Sequence, residues 1–433
     1  MRKTALLAVL AALLSAVPAR ADDDRVRILR DPTPYTNVID AADDQDPFDL
    51  NLHVGYGWSR YRADIQRDAV SPSGSQRYDT VGRYEHVRQT LDLELEIGIY
   101  KDLEVFAYLP IVLSDTQTVS AGAGAAAASD IFAAPFRSPE RSGLDVITTG
   151  LAWQPLNQNR MPEVPNWVLI VDTTTPIGSR MKPCDASAPC PNDPGISRGT
   201  QGVHFETRLS RRYRFVEPYF GLGARGEIPT SAEPAFRPVG NLPGYQRTFP
   251  PIVGEFTLGA AFVPFEHLRR FQRLVVDLRM VSQYVSSGRD YSPLFDAFGS
   301  SANPGLTSLN CENGTSVPAG STCAAGASVP FTGITDTEAY GRIGGRLGLD
   351  FQAAQYVRFT FASNLVYWTA HYISAASACN AGVDQATHPD QVGTCTSGIV
   401  NPDYRSAIDE PGHKFHVNGG LQLDIFASAI AQF

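Results

Sequence analysis

The sequence predicts an all-β fold: a closed, antiparallel transmembrane β-barrel of about twelve strands, with long external loops and short periplasmic turns. Three observations carry this prediction. Apolar and polar residues alternate with a period of two through much of the chain. The links between the alternating segments are long and short in turn. The first residues have the composition of an export signal.

The chain opens with a three-part pattern that is typical of a secretory signal peptide. Arg2 and Lys3 form a basic start, residues 5–17 are almost all apolar, and residues 19–21 give the small-x-small site that a signal peptidase reads. Such a stretch is too short to stay in a bilayer as a permanent helix. The expected division of the chain is a signal peptide at 1–21, an acidic periplasmic N-terminal segment at 22–47 and an outer-membrane β-barrel of Gram-negative type at 48–433.

The alternation is clearest at residues 91–99, where Leu or Ile occupies every odd position and an acid occupies three of the even positions. A helix would spread these carboxylates over all its faces, whereas a strand places them on one side. Similar segments recur along the chain, and most have the roughly ten residues that a tilted membrane strand needs. The predicted strands are 48–62, 84–99, 103–113, 144–155, 166–178, 200–213, 216–229, 251–264, 273–287, 338–352, 355–373 and 412–428.

The links between these segments differ in length according to their parity. Links after even-numbered strands are short, and links after odd-numbered strands are long and rich in Gly, Ser, Pro and Asn. Outer-membrane barrels have tight periplasmic turns and long outer loops, so the long links are expected on the external side. All six cysteines fall in long links, as the pairs Cys184/Cys190, Cys311/Cys323 and Cys379/Cys395.

The spacing of the cysteines favours three local disulfides in the external loops. Each pair is close in sequence and far from the others, although six cysteines allow 15 connectivities. Zinc binding is the alternative, and it is disfavoured because the chain has no C-x-x-C motif and no matching histidine spacing.

The charge pattern limits the possible partners. The formal net charge is −9 and there is no basic block, which argues against nucleic acid. The acidic run at residues 40–47 lacks the glycine spacing of a calcium loop, so a solvated periplasmic tail and no metal site are expected. The apolar faces of the predicted strands are almost free of charge, as outer-membrane lipid requires. The terminal Phe433 resembles the signal that barrel assembly machinery reads, so that machinery is an expected partner.

The polar faces of the strands then point into the barrel. Two interpretations of this set remain open: the groups pair with one another and fill the lumen, or they line a narrow polar path for a small-molecule solute and set its selectivity. The candidate pore-lining residues are Asp92, Glu94, Glu96, Glu206, Arg208, Glu217, Arg225, Glu227, Asp277, Arg279, Arg342, Arg346, Asp350, Arg358 and Asp424.

No coherent set of catalytic residues is found, so an enzyme is not expected. His371 and Ser374 are an odd number of positions apart and would face opposite sides of a strand, which disfavours a phospholipase. An outer-membrane protease would need paired acids and a histidine, but the candidates near residues 409–416 are interrupted by a Pro-Gly turn. No phosphate-binding loop is present, and no cofactor is expected.

Residues 95–105, with the sequence Leu-Glu-Ile-Gly-Ile-Tyr-Lys-Asp-Leu-Glu-Val, are followed by Leu109-Pro110. This run resembles the outer-membrane barrels related to the MetA protein of phenol-degradation pathways. The resemblance implies uptake of small hydrophobic or aromatic compounds. The sequence therefore favours a porin-like outer-membrane channel or transporter for passive uptake of a small solute. The alternative is a sealed structural or adhesive barrel that acts through its disulfide-stapled external loops.

Overall fold

The computed structural model describes residues 32–41, 50–70, 74–186, 190, 193–230, 235–240, 242–311, 316–317, 328–387, 395 and 397–433. The predicted signal peptide at 1–21 lies outside these residues. Twelve long strands form the barrel: β1 (Leu50–Val70), β2 (Gln76–Tyr100), β3 (Leu103–Val119), β4 (Val146–Leu156), β5 (Asn166–Pro176), β6 (Thr200–Ser210), β7 (Val216–Pro229), β8 (Val253–His267), β9 (Gln272–Val285), β10 (Tyr340–Ala354), β11 (Val357–Trp368) and β12 (Phe415–Gln432).

The strands close into a single antiparallel barrel. Each long strand pairs with its neighbours in sequence, and β1 pairs with β12 over residues 51–67. A closed barrel leaves no unpaired sheet edge. The predicted fold class is confirmed, and each predicted strand overlaps one of the twelve observed strands.

The first hairpin departs from the expected loop pattern. The link after the first strand was expected to be long, but β1 and β2 continue to Val70 and from Gln76, and only residues 71–75 join them. The extension keeps an apolar side, since Ile65 and Val81 are fully buried against loops. It carries the ion pair of Asp64 and Arg83 on its exposed side. Contacts with the loops thus stabilise the extended part of the first hairpin. The sequence pattern of residues 63–83 did not predict this extension.

The outer wall of the barrel is apolar. Large side chains of alternate strand positions are about half exposed, among them Val203, Phe205, Leu222, Leu258, Leu278 and Leu347. A protein surrounded by water rarely exposes a continuous apolar surface of this extent. The polar side chains at the intervening positions lie on the opposite face of the sheet.

The long loops fold together over one end of the barrel. We call the described parts of loops 120–145, 177–199, 230–252, 286–339 and 369–414 the loop cap. It contains the helical turns Ala125–Ala128, Phe295–Gly299, Pro304–Thr307 and Ser406–Asp409, and the short strands Phe136–Arg137, Arg141–Leu144, Gly288–Asp290, Leu309–Cys311, Ser316–Val317, Ser328–Val329, Thr335–Thr337, His371–Tyr372, Cys379–Asn380 and Ile399–Val400. None of the helices in the described residues is long and apolar enough to cross a membrane.

A hydrophobic core and disulfides hold the loop cap together. Phe132, Phe298 and Phe415 pack with their ring centroids 5.1 to 6.3 Å apart, joining two loops to the start of β12. Disulfides join Cys184 to Cys190 and Cys379 to Cys395, as predicted. The third predicted pair, Cys311 and Cys323, includes a residue outside the described part of the chain.

Candidate functional site

The described residues 32–41, which we call the inner segment, lie inside the barrel at the end with the short turns. Thr33, Tyr35, Thr36, Val38 and Ile39 are all buried. The sequence predicts an acidic periplasmic segment at 22–47 and a solvated tail at 40–47, and the described residues 32–41 pack against the inner wall. The reason is that its backbone and hydroxyl donors meet carboxylates that face the lumen from distant strands.

Glu217 at the start of β7 is the main anchor of the inner segment. Its carboxylate is fully buried and accepts hydrogen bonds from the Thr33 backbone nitrogen (2.6 Å) and the Thr36 hydroxyl (2.8 Å). Ser210 on β6 donates to the same carboxylate at 2.5 Å and lies 2.7 Å from the Thr36 hydroxyl. Hydrogen bonds to a buried charge are among the stronger ones in proteins.

Tyr35 makes the central contact between the inner segment and the inner wall. Its ring lies 4.1 Å from the ring of Tyr219, and the guanidinium groups of Arg208 and Arg279 lie over it at 4.8 and 4.4 Å. Cations over an aromatic face are attractive, more so where water is excluded. Gly221 makes room for the tyrosine, because a Cβ there would lie 2.1 Å from the Tyr35 hydroxyl oxygen.

The C-terminal part of the inner segment is held by the turn ends of β2 to β5. Glu104 accepts a hydrogen bond from the Ile39 backbone nitrogen at 2.9 Å, and Asp40 accepts one from the Asp102 backbone nitrogen at 2.9 Å. Asp40 also pairs with Arg160 in the turn after β4. Val38 packs into an apolar cluster with Ala152, Val168 and Ile170. The inner segment therefore lies against the inner wall from β3 to β9 at this end of the barrel.

A polar cavity of about 300 Å³ lies nearer the loop cap. Inner-wall residues of β6 to β10 form most of its lining, and loop residues complete it. The charged and aromatic lining residues are Arg198, His204, Arg225, Glu227, Glu255, Asp290, Tyr340 and Arg342.

Most of the predicted pore-lining residues have partners on the inner wall. Glu206 pairs with Arg208 at 2.8 Å and Asp277 with Arg279 at 3.0 Å. The remaining contacts are between Asp92 and Tyr108 (2.7 Å), Asp424 and Ser59 (2.7 Å), Asp350 and Arg358 (3.5 Å), Glu227 and Arg198 (3.2 Å), Glu94 and His53 (3.6 Å), and Glu96 and His53 (3.0 Å).

A second group of inner-wall charges forms no ion pair among the described residues. Arg225 is exposed and lines the cavity, and its side chain makes no hydrogen bond to the described part of the chain. Arg342 donates to the Tyr340 hydroxyl at 2.6 Å and lies over the Trp368 ring at 3.8 Å, but meets no carboxylate. Arg346 lies opposite Arg279 across the β9–β10 pair, and its Nε is buried without a hydrogen bond. Glu255 accepts from Gln283 at 2.6 Å and meets no cation.

His53, Glu94 and Glu96 form the one group in the described residues whose donor atoms could surround a metal ion, since these atoms lie within 4.8 Å of one another. The two ring nitrogens of His53 face different carboxylates, at 3.6 Å for Glu94 and 3.0 Å for Glu96. The contacts of the two ring nitrogens with the two carboxylates account for this arrangement without a metal.

Buried ion pairs join the loops of the cap. Arg141 pairs with Asp296 at 2.7 Å, and Arg289 pairs with Asp336 at 3.3 Å and with Asp403 at 3.0 Å. All these side chains are buried. Burial raises the pKa of Asp403 to about 7, and the charge of Arg289 opposes that rise. A cap held by buried charges depends on every partner being present.

The residues considered for catalysis have structural contacts instead. The Ser374 hydroxyl accepts a hydrogen bond from the Phe415 backbone nitrogen, and His371 stacks on Tyr340 with ring centroids 3.9 Å apart. Asp409 accepts hydrogen bonds from the backbone nitrogens of Arg405 and Ala376. Burial lowers the pKa of His371 to about 4.

The sequence interpretation missed the inner segment and the loop residues of the cavity. Tyr35, Val38 and Ile39 interrupt a polar stretch with apolar side chains, and this was the available signal. Arg198 and Asp290, paired at 2.8 Å, lie in separate loops, and no periodicity connects them.

No protein-family model and no curated protein matches the sequence. Solved outer-membrane barrels share the general architecture. An outer membrane channel from Pseudomonas putida F1 is 11% identical, with 90% of this chain and 100% of that chain covered and a TM-score of 0.36. The Escherichia coli outer membrane protease OmpT is 7% identical (89% and 97% covered, TM-score 0.31). A Pseudomonas aeruginosa FadL homologue is 9% identical (96% and 99% covered, TM-score 0.29).

Proposed function

We propose that this protein is an outer-membrane channel that passes a small polar solute passively. The unpaired charges of the inner wall carry the proposal. A lumen that served only to fill the barrel would pair its charges, because an uncompensated charge costs free energy where water is excluded. Arg342, Arg346 and Glu255 are half-buried, and Arg225 is exposed. None of them forms an ion pair within the described residues. Such groups set the selectivity of polar pores.

The inner segment packs inside the short-turn end, and the loop cap lies over the other. We infer that passage requires a gate. The inner segment is the better candidate for movement, because polar contacts dominate its attachment and water can replace them. The loop cap has a hydrophobic core and two disulfides and is built as a fixed lid.

Two other functions remain as alternatives. A sealed structural or adhesive barrel is supported by the packing of the inner segment and the loop cap at the two ends and by the stapled loops. Uptake of a hydrophobic or aromatic compound is implied by the resemblance at residues 95–110. The charged lining of the cavity favours a polar solute over a hydrophobic one. The assembly machinery that inserts outer-membrane barrels is the proposed folding partner, because the chain forms a closed antiparallel barrel.

Membrane insertion makes a specific prediction for the outer wall. Leu258 on β8 is 50% exposed at mid-strand. We expect Leu258→Arg to lower the free energy of unfolding by about 2–4 kcal/mol in phospholipid vesicles, because a cation at mid-depth must leave water for hydrocarbon. Urea titration of the reconstituted protein measures this.

Val70→Arg is the matched control for the outer wall. Val70 is 60% exposed but lies at the tip of the first hairpin, where an arginine stays in water. Equal losses of stability for the two variants would contradict lipid contact at Leu258.

Single-channel recording in planar bilayers tests the channel itself. We expect discrete current steps from the wild-type protein, and a shift toward cation selectivity in Arg346→Ala, because the variant removes a positive charge that forms no ion pair within the described residues. Arg83→Ala is the control, since Arg83 is paired with Asp64 on the exposed hairpin. The channel proposal is refuted if no current is recorded from bilayers shown to contain inserted wild-type protein, and none from the protein without the inner segment. That result would favour the sealed barrel.

A further inference from the structure

Arg225 and Glu255 are opposite charges that line one cavity and do not meet. Arg225 on β7 lies opposite Val253 of β8, and Glu255 is two residues further along β8. Diagonal neighbours of this kind are about 7–8 Å apart at their α-carbons, within reach of long side chains. No ion pair or hydrogen bond joins them in the described structure. The space between them belongs to the cavity.

Arg342 adds a second cation to the same cavity. Glu255 lies opposite Gln283 of β9, and Gln283 lies opposite Arg342 of β10, so one row across the wall carries a carboxylate, an amide and a guanidinium. Tyr340 and Trp368 fix the position of Arg342. The lining thus offers two guanidinium groups without carboxylate partners and one carboxylate without a cation.

We propose that this cavity binds a small zwitterion of the α-amino-acid class, an inference that rests on the proposed channel function. The carboxylate of the solute bonds to Arg225 and Arg342, since guanidinium groups recognise carboxylates through paired hydrogen bonds. Its ammonium group bonds to Glu255. The solute then gives each of the three groups a partner of opposite charge, with one carboxylate shared by two guanidinium groups, which a simple anion or cation cannot do.

Apolar lining groups indicate which side chain the solute carries. Val253, Val285 and Tyr340 line the same cavity beside the charged groups. A volume of about 300 Å³ is at the lower end for small-molecule sites. An apolar or aromatic side chain therefore fits, and the preferred solutes are small amino acids with such side chains.

Four solutes that share a phenyl group test the charge requirement: phenylalanine, 3-phenylpropanoate, 2-phenylethylamine and phenol. The measurement is the concentration that half-blocks the ion current of the full-length protein in planar bilayers. We expect phenylalanine to block at about tenfold lower concentration than the next best compound, which corresponds to about 1.4 kcal/mol.

Variants of Glu255 and Arg225 test whether these side chains cause the preference for phenylalanine. Glu255→Gln keeps an acceptor for Gln283 and should make phenylalanine and 3-phenylpropanoate equivalent. Arg225→Met should weaken both of these acids and leave 2-phenylethylamine unchanged. Arg77→Met is the control, because Arg77 pairs with Asp79 on the exposed first hairpin.

The outcomes separate this inference from the channel proposal. Equal block by phenylalanine and 3-phenylpropanoate in the wild-type protein would mean a plain anion site and overturn the inference. Strongest block by phenol would overturn it in favour of an apolar path, while the channel would stand. If inserted protein passes no current, the channel proposal fails. Calorimetric titration of the detergent-solubilised protein with phenylalanine then tests the zwitterion site by itself. Binding that Glu255→Gln abolishes supports the site, and no binding overturns it.

Discussion

Gly221→Ala is expected to raise the open probability of single channels by about tenfold or more. The new Cβ would lie 2.1 Å from the Tyr35 hydroxyl oxygen, so the tyrosine must leave its place between Tyr219 and the two arginines. Overpacking of a filled site costs about 1–3 kcal/mol, and each 1.4 kcal/mol shifts an equilibrium tenfold. The closed state alone bears this cost, because an open lumen no longer holds the ring at Gly221.

Gly226→Ala is the control for this experiment. Gly226 is on the same strand, and a Cβ there has no atom within 4 Å. Thr36→Val should open the channel in the same direction as Gly221→Ala, since it removes the hydroxyl that bonds to Glu217. Unchanged gating in both Gly221→Ala and Thr36→Val would show that the inner segment is not the gate.

Arg289→Met is expected to lower the stability of the loop cap by about 3–5 kcal/mol, the usual cost of removing one partner from a buried ion pair. The variant leaves Asp336 and Asp403 buried without the guanidinium that pairs with both. Arg247 and Arg405 interact with these carboxyls as well, but neither forms an ion pair with them in the described structure. Limited proteolysis should then cut within 286–339 and 369–414, while the barrel strands stay protected. Thermal unfolding of the cap provides the second measurement.

The loss of loop-cap stability in Arg289→Met should depend on pH in a defined direction. The pKa of Asp403 is already raised by burial, and loss of Arg289 raises it further. A carboxyl whose pKa is higher in the folded state favours folding at low pH, and that contribution is lost as the pH rises through its folded pKa. The variant should therefore be more strongly destabilised at pH 8 than at pH 5.

Two further variants separate lost charge balance from lost packing. Adding Asp336→Asn and Asp403→Asn to Arg289→Met removes the uncompensated charges and should restore much of the stability. Arg77→Met, at a side chain that is 60% exposed, should cost less than about 1 kcal/mol. A triple variant as unstable as Arg289→Met would show that the arginine acts through packing and not through charge.

The wall of the barrel was predictable because each strand carries its own evidence. The alternation at residues 91–99 specifies two faces within one segment, and the same local pattern repeats around the sheet. The inner segment was not predictable in this way. Its contacts join Thr33 to Glu217 and Ile39 to Glu104, residues far apart in sequence, and no local period encodes them.

The unpaired charges of the cavity show the same limit. Parity on a strand placed Arg225 and Arg342 on the inner face, but it could not tell a paired arginine from a free one. That distinction depends on the register between strands and on loop residues such as Asp290, which lines the same cavity as Arg225 and pairs with Arg198.

The inner segment stays covalently connected to the barrel wall even when its contacts with that wall break. Only residues 42–49 separate it from β1, so a released segment stays near its binding site. A short tether of this kind gives an effective concentration on the order of millimolar. A synthetic peptide with the sequence of residues 32–41 would have to be supplied at comparable concentration to compete with it. Closure is therefore independent of how much protein the membrane contains, and each barrel returns to its closed state without a second molecule.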